Sequence, residues 1–214
     1  MIDSVRNTVL SILNKNNFGY LSPSDFNLYA KQSQLEIFDE YFNDYNYQIN
    51  KENIRQSGTG YADIARSLEE VIDSFSVVDT TTFVTNSFTL PADYYLINKI
   101  LPTGVNYEAE QVSNANINLL LASSLTAPTS AFPAFIQNGT TATVYPSTIT
   151  SGTIQYIRYP LDPKWTYVAL NLGEPVFDEG NALFQDFELP SDDEPRLVNK
   201  ILQYAGVSIR EADV

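Results

Sequence analysis

Cysteine and histidine are both absent from this sequence, and tryptophan and methionine each occur only once. A chain without cysteine forms neither disulfides nor thiolate nucleophiles. A chain without histidine lacks the side chain on which serine triads, most zinc sites and most acid-base catalysis near neutral pH depend. Catalysis by carboxylates or lysine stays open, but no paired acids framed by aromatic residues support it. We therefore expect a non-enzymatic protein with no catalytic, cofactor or metal site.

Basic residues are scarce: 12 Lys and Arg stand against 26 Asp and Glu, which gives a net charge of -14. Because affinity for nucleic acid comes largely from cationic contacts to phosphates, this balance argues against a DNA-binding surface. No apolar run reaches the roughly 18 residues of a membrane span, and Met1–Arg6 lacks the charge pattern of a signal peptide. We expect neither feature. An apolar content of 43%, with 12 Phe and 14 Tyr, is ample for a core.

Apolar residues at helical spacing predict three helices before residue 76. The first carries Ile2, Val5, Val9, Ile12 and Leu13. The second begins at Ser22-Pro23, a capping residue before a proline, and runs to about Tyr47. The third spans Ile64 to Phe75. Between them, Gly58-Thr59-Gly60 has no preceding strand, so it is interpreted as a hinge and not as a phosphate-binding loop.

The second helix carries two apolar stripes. One contains Phe26, Ala30, Ile37, Tyr41 and Tyr45, and the other contains Leu28, Leu35, Phe38 and Phe42. One neighbouring helix cannot cover an arc this broad. Either several elements of the same chain pack on it or another subunit does. The second alternative makes Leu28, Leu35, Phe38 and Phe42 the candidate interface between subunits.

From Val77 the apolar period changes from 3.6 to 2, which predicts strands. These are Thr81 to Leu90, Tyr94 to Leu101, Asn106 to Val112, Gly152 to Tyr159 and Thr166 to Leu170, with a short helix from Ser113 to Leu125. Asn138-Gly139 predicts a type I′ hairpin turn, which we prefer to a glycosylation site. Residues 177–187 form a last irregular or hairpin segment.

Three features near the end of the chain have a structural interpretation. Trp165 is predicted to plug the core over the mouth of the sheet, since a single aromatic is seldom a ligand platform. The acids Asp178, Glu179, Asp186 and Glu188 lack calcium-loop spacing and are interpreted as solvated charges. Ser191 and Glu194 predict a capping box for a last helix that ends at Gly206. The tail, Val207 to Val214, alternates apolar and polar residues, so it either frays or docks as an extended peptide.

Together these patterns predict an α+β fold: an N-terminal bundle of three helices plus a C-terminal helix, with an inserted antiparallel β-rich middle. The boundaries follow the changes of period. Residues 1–76 form the helical part, residues 77–190 form the β-rich middle with one short helix, and residues 191–214 form the last helix and tail, which pack with the helical part.

Six stretches resemble a family of virion structural proteins from crAss-like tailed bacteriophages. They are Gly19-Tyr20-Leu21-Ser22-Pro23 to Phe26-Asn27, Leu90-Pro91-Ala92-Asp93-Tyr94, Val112-Ser113 through Ser124-Leu125-Thr126-Ala127-Pro128-Thr129, Tyr159-Pro160-Leu161-Asp162-Pro163-Lys164-Trp165, Asp186-Phe187-Glu188-Leu189-Pro190, and Gly206-Val207-Ser208-Ile209-Arg210-Glu211. None of these motifs is catalytic.

The resemblance implies a head-to-tail connector, a portal adaptor that forms a ring of twelve copies in the virion neck after assembly in the bacterial cytoplasm. Its implied partners are the portal protein, neighbouring copies of itself and further neck or tail proteins, while DNA passes through without specific binding and no membrane is involved. The implied portal contacts are Val207, Ile209, Arg210 and Val214. The alternative within the same virion is a tail-hub or fibre-attachment protein.

Overall fold

Helices occupy both ends of the chain and strands occupy its middle, which confirms the predicted α+β class. The computed structural model describes residues 1–15, 21–55, 64–104, 107–170 and 173–206. The chain forms two compact units. We call Met1–Val71 with Pro160–Val214 the helical unit, and Ile72–Tyr159 the β unit.

The helical unit is built on three helices and a two-stranded sheet. Its elements are α1 (Ile2–Lys15), α2 (Pro23–Arg55), α5 (Glu194–Tyr204), β8 (Tyr167–Ala169) and β9 (Pro175–Phe177), and α3 (Ile64–Asp73) runs from this unit into the next. Helix α5 packs on both α1 and α2. The core between them holds Val5, Phe26, Ile37, Leu197 and Ile201. Helix α2 begins where the sequence predicts but extends to Arg55, well beyond Tyr47.

The start of α2 confirms its predicted cap, whereas the start of α5 does not. The Oγ of Ser22 accepts a hydrogen bond of 3.1 Å from the amide of Asp25. At α5, Ser191–Asp193 instead form a 3₁₀ turn without a side-chain cap, so the capping box is wrong. The reason is Pro195: a helix capped at Ser191 would need an amide proton there to bond the capping carbonyl, and proline has none. The end of α5 is as predicted, because Gly206 has φ 80°.

The β unit contains two sheets and a short helix. The first sheet has β1 (Ser76–Thr82), β7 (Ser151–Arg158) and β3 (Tyr94–Pro102) in that order, all antiparallel; the second has β2 (Ser87–Thr89), β6 (Thr141–Tyr145), β5 (Ala134–Asn138) and β4 (Glu110–Gln111). Helix α4 (Asn114–Ala122) lies between β4 and β5. Most pairs are antiparallel, but β4 and β5 are parallel. Both sheets contribute to one core of Phe83, Phe88, Ile100, Phe135, Val144 and Ile154.

Two turns differ from those predicted: one in its type, and one because it interrupts a predicted strand. The hairpin of β5 and β6 is confirmed, but Asn138 pairs with Thr141, so the loop is Gly139-Thr140. Only Gly139 has positive φ there, at 60°, which fits a type II′ turn and not type I′. The predicted strand Thr81 to Leu90 is broken instead. Thr85 and Asn86 both have positive φ, and this turn separates β1 from β2.

The division into units also differs from the one expected from the sequence. The boundary falls at residue 72 and not at 77, and residues 160–190 belong to the helical unit instead of the β-rich middle. The physical reason lies in the contacts of Trp165 and of the segment around Asp186, both of which bond to α1 and α2.

Candidate assembly interface

Three of the four candidate interface residues of α2 are only partly buried, and the fourth is fully buried. Leu28 is 55% exposed, Leu35 and Phe42 are half-buried, and Phe38 is buried. Leu28, Leu35 and Phe42 are spaced by seven residues, so they follow one face of the helix. Phe38 supports this face from below, with its ring edge-on to that of Phe42 at 5.1 Å between centroids.

The apolar arc of α2 was expected to be covered either by the same chain or by another subunit. The structure indicates that each alternative applies to a different stripe. The stripe of Phe26, Ala30, Ile37 and Tyr41 is buried by elements of the same chain. In the stripe that begins at Leu28, only Phe38 is fully buried. What remains accessible is an apolar strip on a helix of 33 residues, roughly 50 Å long at 1.5 Å per residue.

A compact ion network fixes α5 to α2. The Nζ of Lys200 lies 2.7 Å from Oε1 of Glu40 and 2.9 Å from Oε1 of Glu36, while Nη2 of Arg196 lies 2.5 Å from Oε2 of Glu40. Burial alone would raise the pKa of Glu40. The hydrogen bonds and positive charges of Lys200 and Arg196 outweigh burial and hold this pKa below its ordinary value. For Lys200, burial opposes the charge, but the two carboxylates raise its pKa.

Asp193 lies at the edge of this network, and its pKa is shifted in the opposite direction from that of Glu40. It accepts a hydrogen bond from the hydroxyl of Tyr41 and lies 3.7 Å from Nη1 of Arg196. Burial is the main cause that raises the pKa of Asp193, assisted by the negative charge of Glu40 and only partly offset by Arg196. The network thus sets the position of α5, and hence of Gly206, against the long helix.

Trp165 is the centre of a second group of contacts that holds the helical unit together. Its backbone amide donates to Oδ1 of Asn27 at 2.8 Å, its Nε1 donates to Oδ1 of Asp3 at 2.9 Å, and the guanidinium of Arg6 lies 3.8 Å from the ring centroid. The ring stacks on Tyr167. The predicted burial of Trp165 is confirmed, since its side chain is 2% exposed. Its predicted place over the sheet mouth is wrong, because it packs against α1 and α2.

Three polar side chains connect the loops of the helical unit to α1, to α2 and to each other, and the sequence did not predict these roles. The buried amide of Gln34 donates to the carbonyl of Leu161 at 2.7 Å and accepts from the amide of Glu188 at 3.1 Å. The carboxylate of Glu188 accepts from the amide of Leu161 at 2.8 Å, and Asp186 accepts from that of Ile2, also at 2.8 Å. Asp186 and Glu188 are therefore structural and not merely solvated. The one available signal was the position of Gln34 on the buried face of α2.

The remaining predicted contact residues, Val207, Ile209, Arg210 and Val214, lie outside the described residues. Within the described part of the chain, no group of three or more Asp or Glu side chains is placed to hold a metal ion. None of the described helices combines the length and apolar character needed to cross a membrane.

No protein-family model matches the sequence, and a search of curated proteins finds no match to it.

Proposed function

We propose that this chain is a non-enzymatic structural protein of a tailed-phage virion. In this proposal it acts as a neck adaptor that forms a ring between the portal and the tail and lines the DNA channel. The observation that carries the proposal is the apolar strip of α2 on which Leu28 is exposed and Leu35 is half-buried. Such a strip on a long helix is suited to contact with the next copy of the same chain.

The geometry of a ring requires a heterologous contact, in which one surface of a subunit meets a different surface of its neighbour. A long helix with one face anchored on its own unit and another face partly apolar can supply one of these two surfaces. The ion network of Glu36, Glu40, Arg196 and Lys200 occupies the anchored face. Leu28 and Leu35 lie away from it, so subunit contact does not compete with the packing of α5.

The charge supports passage of DNA without binding. A net charge of -14 leaves few cations to neutralise phosphates. A channel lined by acidic subunits repels the DNA backbone, so DNA slides through without being held. The resemblance to crAss-like phage structural proteins points in the same direction.

The test is co-expression with the portal protein encoded by the same phage genome. The expected result is co-purification of the two proteins, with the adaptor seen in images as a ring stacked on the portal. Removal of Val207 to Val214 should leave the helical unit folded, because α5 already ends at Gly206, and should weaken attachment to the portal. Unchanged attachment of the shortened chain would exclude the tail as the portal contact.

A tail-hub or fibre-attachment protein of the same virion is the second candidate, and the exposed apolar residues of the β unit favour it. Leu125 and Phe132 are 93% and 70% exposed. If the chain does not bind the portal but co-purifies with tail components, this second function replaces the first.

A further inference from the structure

The connection between β4 and β5 contributes little to the core for its length. These strands are direct neighbours in the sheet, yet residues 112–133 and helix α4 lie between them in the chain. Among residues 112–132, all of which the structure describes, only Ile117 has a buried side chain. Four leucines and one phenylalanine of the same segment, Leu119, Leu120, Leu121, Leu125 and Phe132, are exposed or half-buried. Closing the sheet does not require them.

Three of these side chains, Leu120, Leu125 and Phe132, border a groove of about 410 Å³. Its lining includes Tyr107, Glu108, Glu110, Leu120, Leu125 and Phe132. The rings of Tyr107 and Phe132 stack with their centroids 5.5 Å apart. Monomeric proteins rarely leave such groups together in water, and contiguous apolar exposure of this kind marks an interaction site.

The backbone holds the apolar side chains in place. The amide of Phe132 donates to the carbonyl of Thr129 at 3.1 Å, and the amide of Thr129 donates to the carbonyl of Phe132, also at 3.1 Å. Further along, the amide of Ala127 donates to the carbonyl of Ser123 at 2.9 Å. A loop closed by its own hydrogen bonds loses little entropy when a partner binds, so the groove is preorganised.

The negative charge of the groove favours a partner with positively charged side chains. Glu108 and Glu110 both lie in its lining and are exposed. No residue of the lining is basic, and the sequence from Tyr107 to Ala134 contains no Lys or Arg at all. Uncompensated carboxylates beside an apolar surface favour cationic ligands and repel acidic ones.

We propose that this groove binds a segment of another protein that places a bulky apolar side chain against Leu125 and Phe132. Lysine or arginine residues flank that side chain and face Glu108 and Glu110. A second copy of this chain is a poorer occupant, because it brings its own net charge of -14 to an acidic site. The proposal concerns the β unit alone and does not depend on a position in the neck.

A display library of random heptapeptides, panned on the full chain, tests this. Counter-selection uses the double variant Leu125→Ser with Phe132→Ser, which should fold because both side chains are exposed. The expected peptides combine Leu, Phe or Trp with Lys or Arg. An enriched peptide should shift backbone NMR signals of residues 107–134, and the double variant should bind it about tenfold or more weakly. Replacing Glu108 and Glu110 by Gln should weaken binding and reduce its salt dependence.

The control is Leu183→Ser, which removes a comparably exposed leucine from the helical unit and should leave peptide binding unchanged. Enrichment of acidic peptides, absence of any enrichment, or binding that survives the double variant would each overturn the proposal. Self-association of the chain that the double variant abolishes would also overturn it, since the occupant would then be a second copy.

Discussion

Lys200 on α5 and Glu40 on α2 form the closest lysine contact between these helices, with Nζ 2.7 Å from Oε1. Glu40 is shared, because Arg196 binds its other oxygen at 2.5 Å. In a chain with only 12 basic residues, two of them converge on one carboxylate. This convergence fixes the last helix against the longest one, and it makes Glu40 the natural point at which to test how the helical unit is held together.

Glu40→Gln should destabilise the helical unit by about 1 kcal/mol, because the pair is partly exposed and solvent screens its charges. Chemical unfolding followed by Trp165 fluorescence measures this, since the chain has no other tryptophan. Glu70→Gln is the matched control. It disrupts an exposed ion pair with Arg66 within α3 and should cost less than about 0.5 kcal/mol. Equal effects of the two variants would contradict the role of Glu40.

The same variant should change the response to acid. Because the folded-state pKa of Glu40 is lowered, its contribution is fully present above the ordinary value of 4.5 and is lost as pH falls through the folded pKa. The stability difference between wild type and Glu40→Gln should therefore shrink below about pH 4.5. Asp193 acts in the opposite direction, since its pKa is raised. Urea unfolding of both proteins between pH 3 and 7 measures the difference, and a constant difference would refute the mechanism.

Trp165→Phe should destabilise the helical unit by about 1–3 kcal/mol, because it removes the indole donor and leaves the carboxylate of Asp3 without that hydrogen bond. Thermal unfolding followed by circular dichroism measures the change. Tyr167→Phe keeps the aromatic stack on Trp165 and serves as the control. If Trp165→Phe melts like the control, the hydrogen bond to Asp3 contributes nothing to stability.

Gly152→Ala should destabilise the β unit by about 1–3 kcal/mol through overpacking. A Cβ at this position would meet the ring of Phe83 at 2.9 Å and the carbonyl oxygen of Leu101 at 3.0 Å. Gly180→Ala is the control, since its closest contact would be an ordinary 3.4 Å. Hydrogen exchange of the amides in β7 reports the effect on this unit directly, and unaltered protection would contradict the steric argument.

Local patterns predicted much of the fold, and long-range contacts decided what they missed. The helical spacing of Leu197, Val198, Ile201 and Leu202 in the sequence matches the buried face of α5, and the sequence around Gly139 correctly predicted a hairpin. Residues 160–190 were placed with the strands because nothing local shows that Asn27 and Gln34 bind them. In the same way, nothing local shows that Leu120 and Leu125 line a groove, which only the tertiary structure reveals.

Leu28→Glu should prevent ring formation while leaving the subunit folded, because Leu28 is exposed in the single chain and would face a neighbouring copy in the ring. Leu183→Glu is the control, as it places the same charge on another exposed leucine of the helical unit. Light scattering of the portal complex and circular dichroism of each variant separate assembly from folding. Rings that form normally with Glu at position 28 would remove α2 from the interface.

The proposed function requires copies of this chain to form a closed ring on a portal. Native mass spectrometry of the complex purified after co-expression with the portal protein measures the number of bound copies directly, since each copy adds 24.0 kDa. We expect the added mass of twelve subunits that the family resemblance implies, and a closed ring in images of the same sample. A chain that stays monomeric in the presence of the portal, or that binds it in only one or two copies, would contradict the proposal.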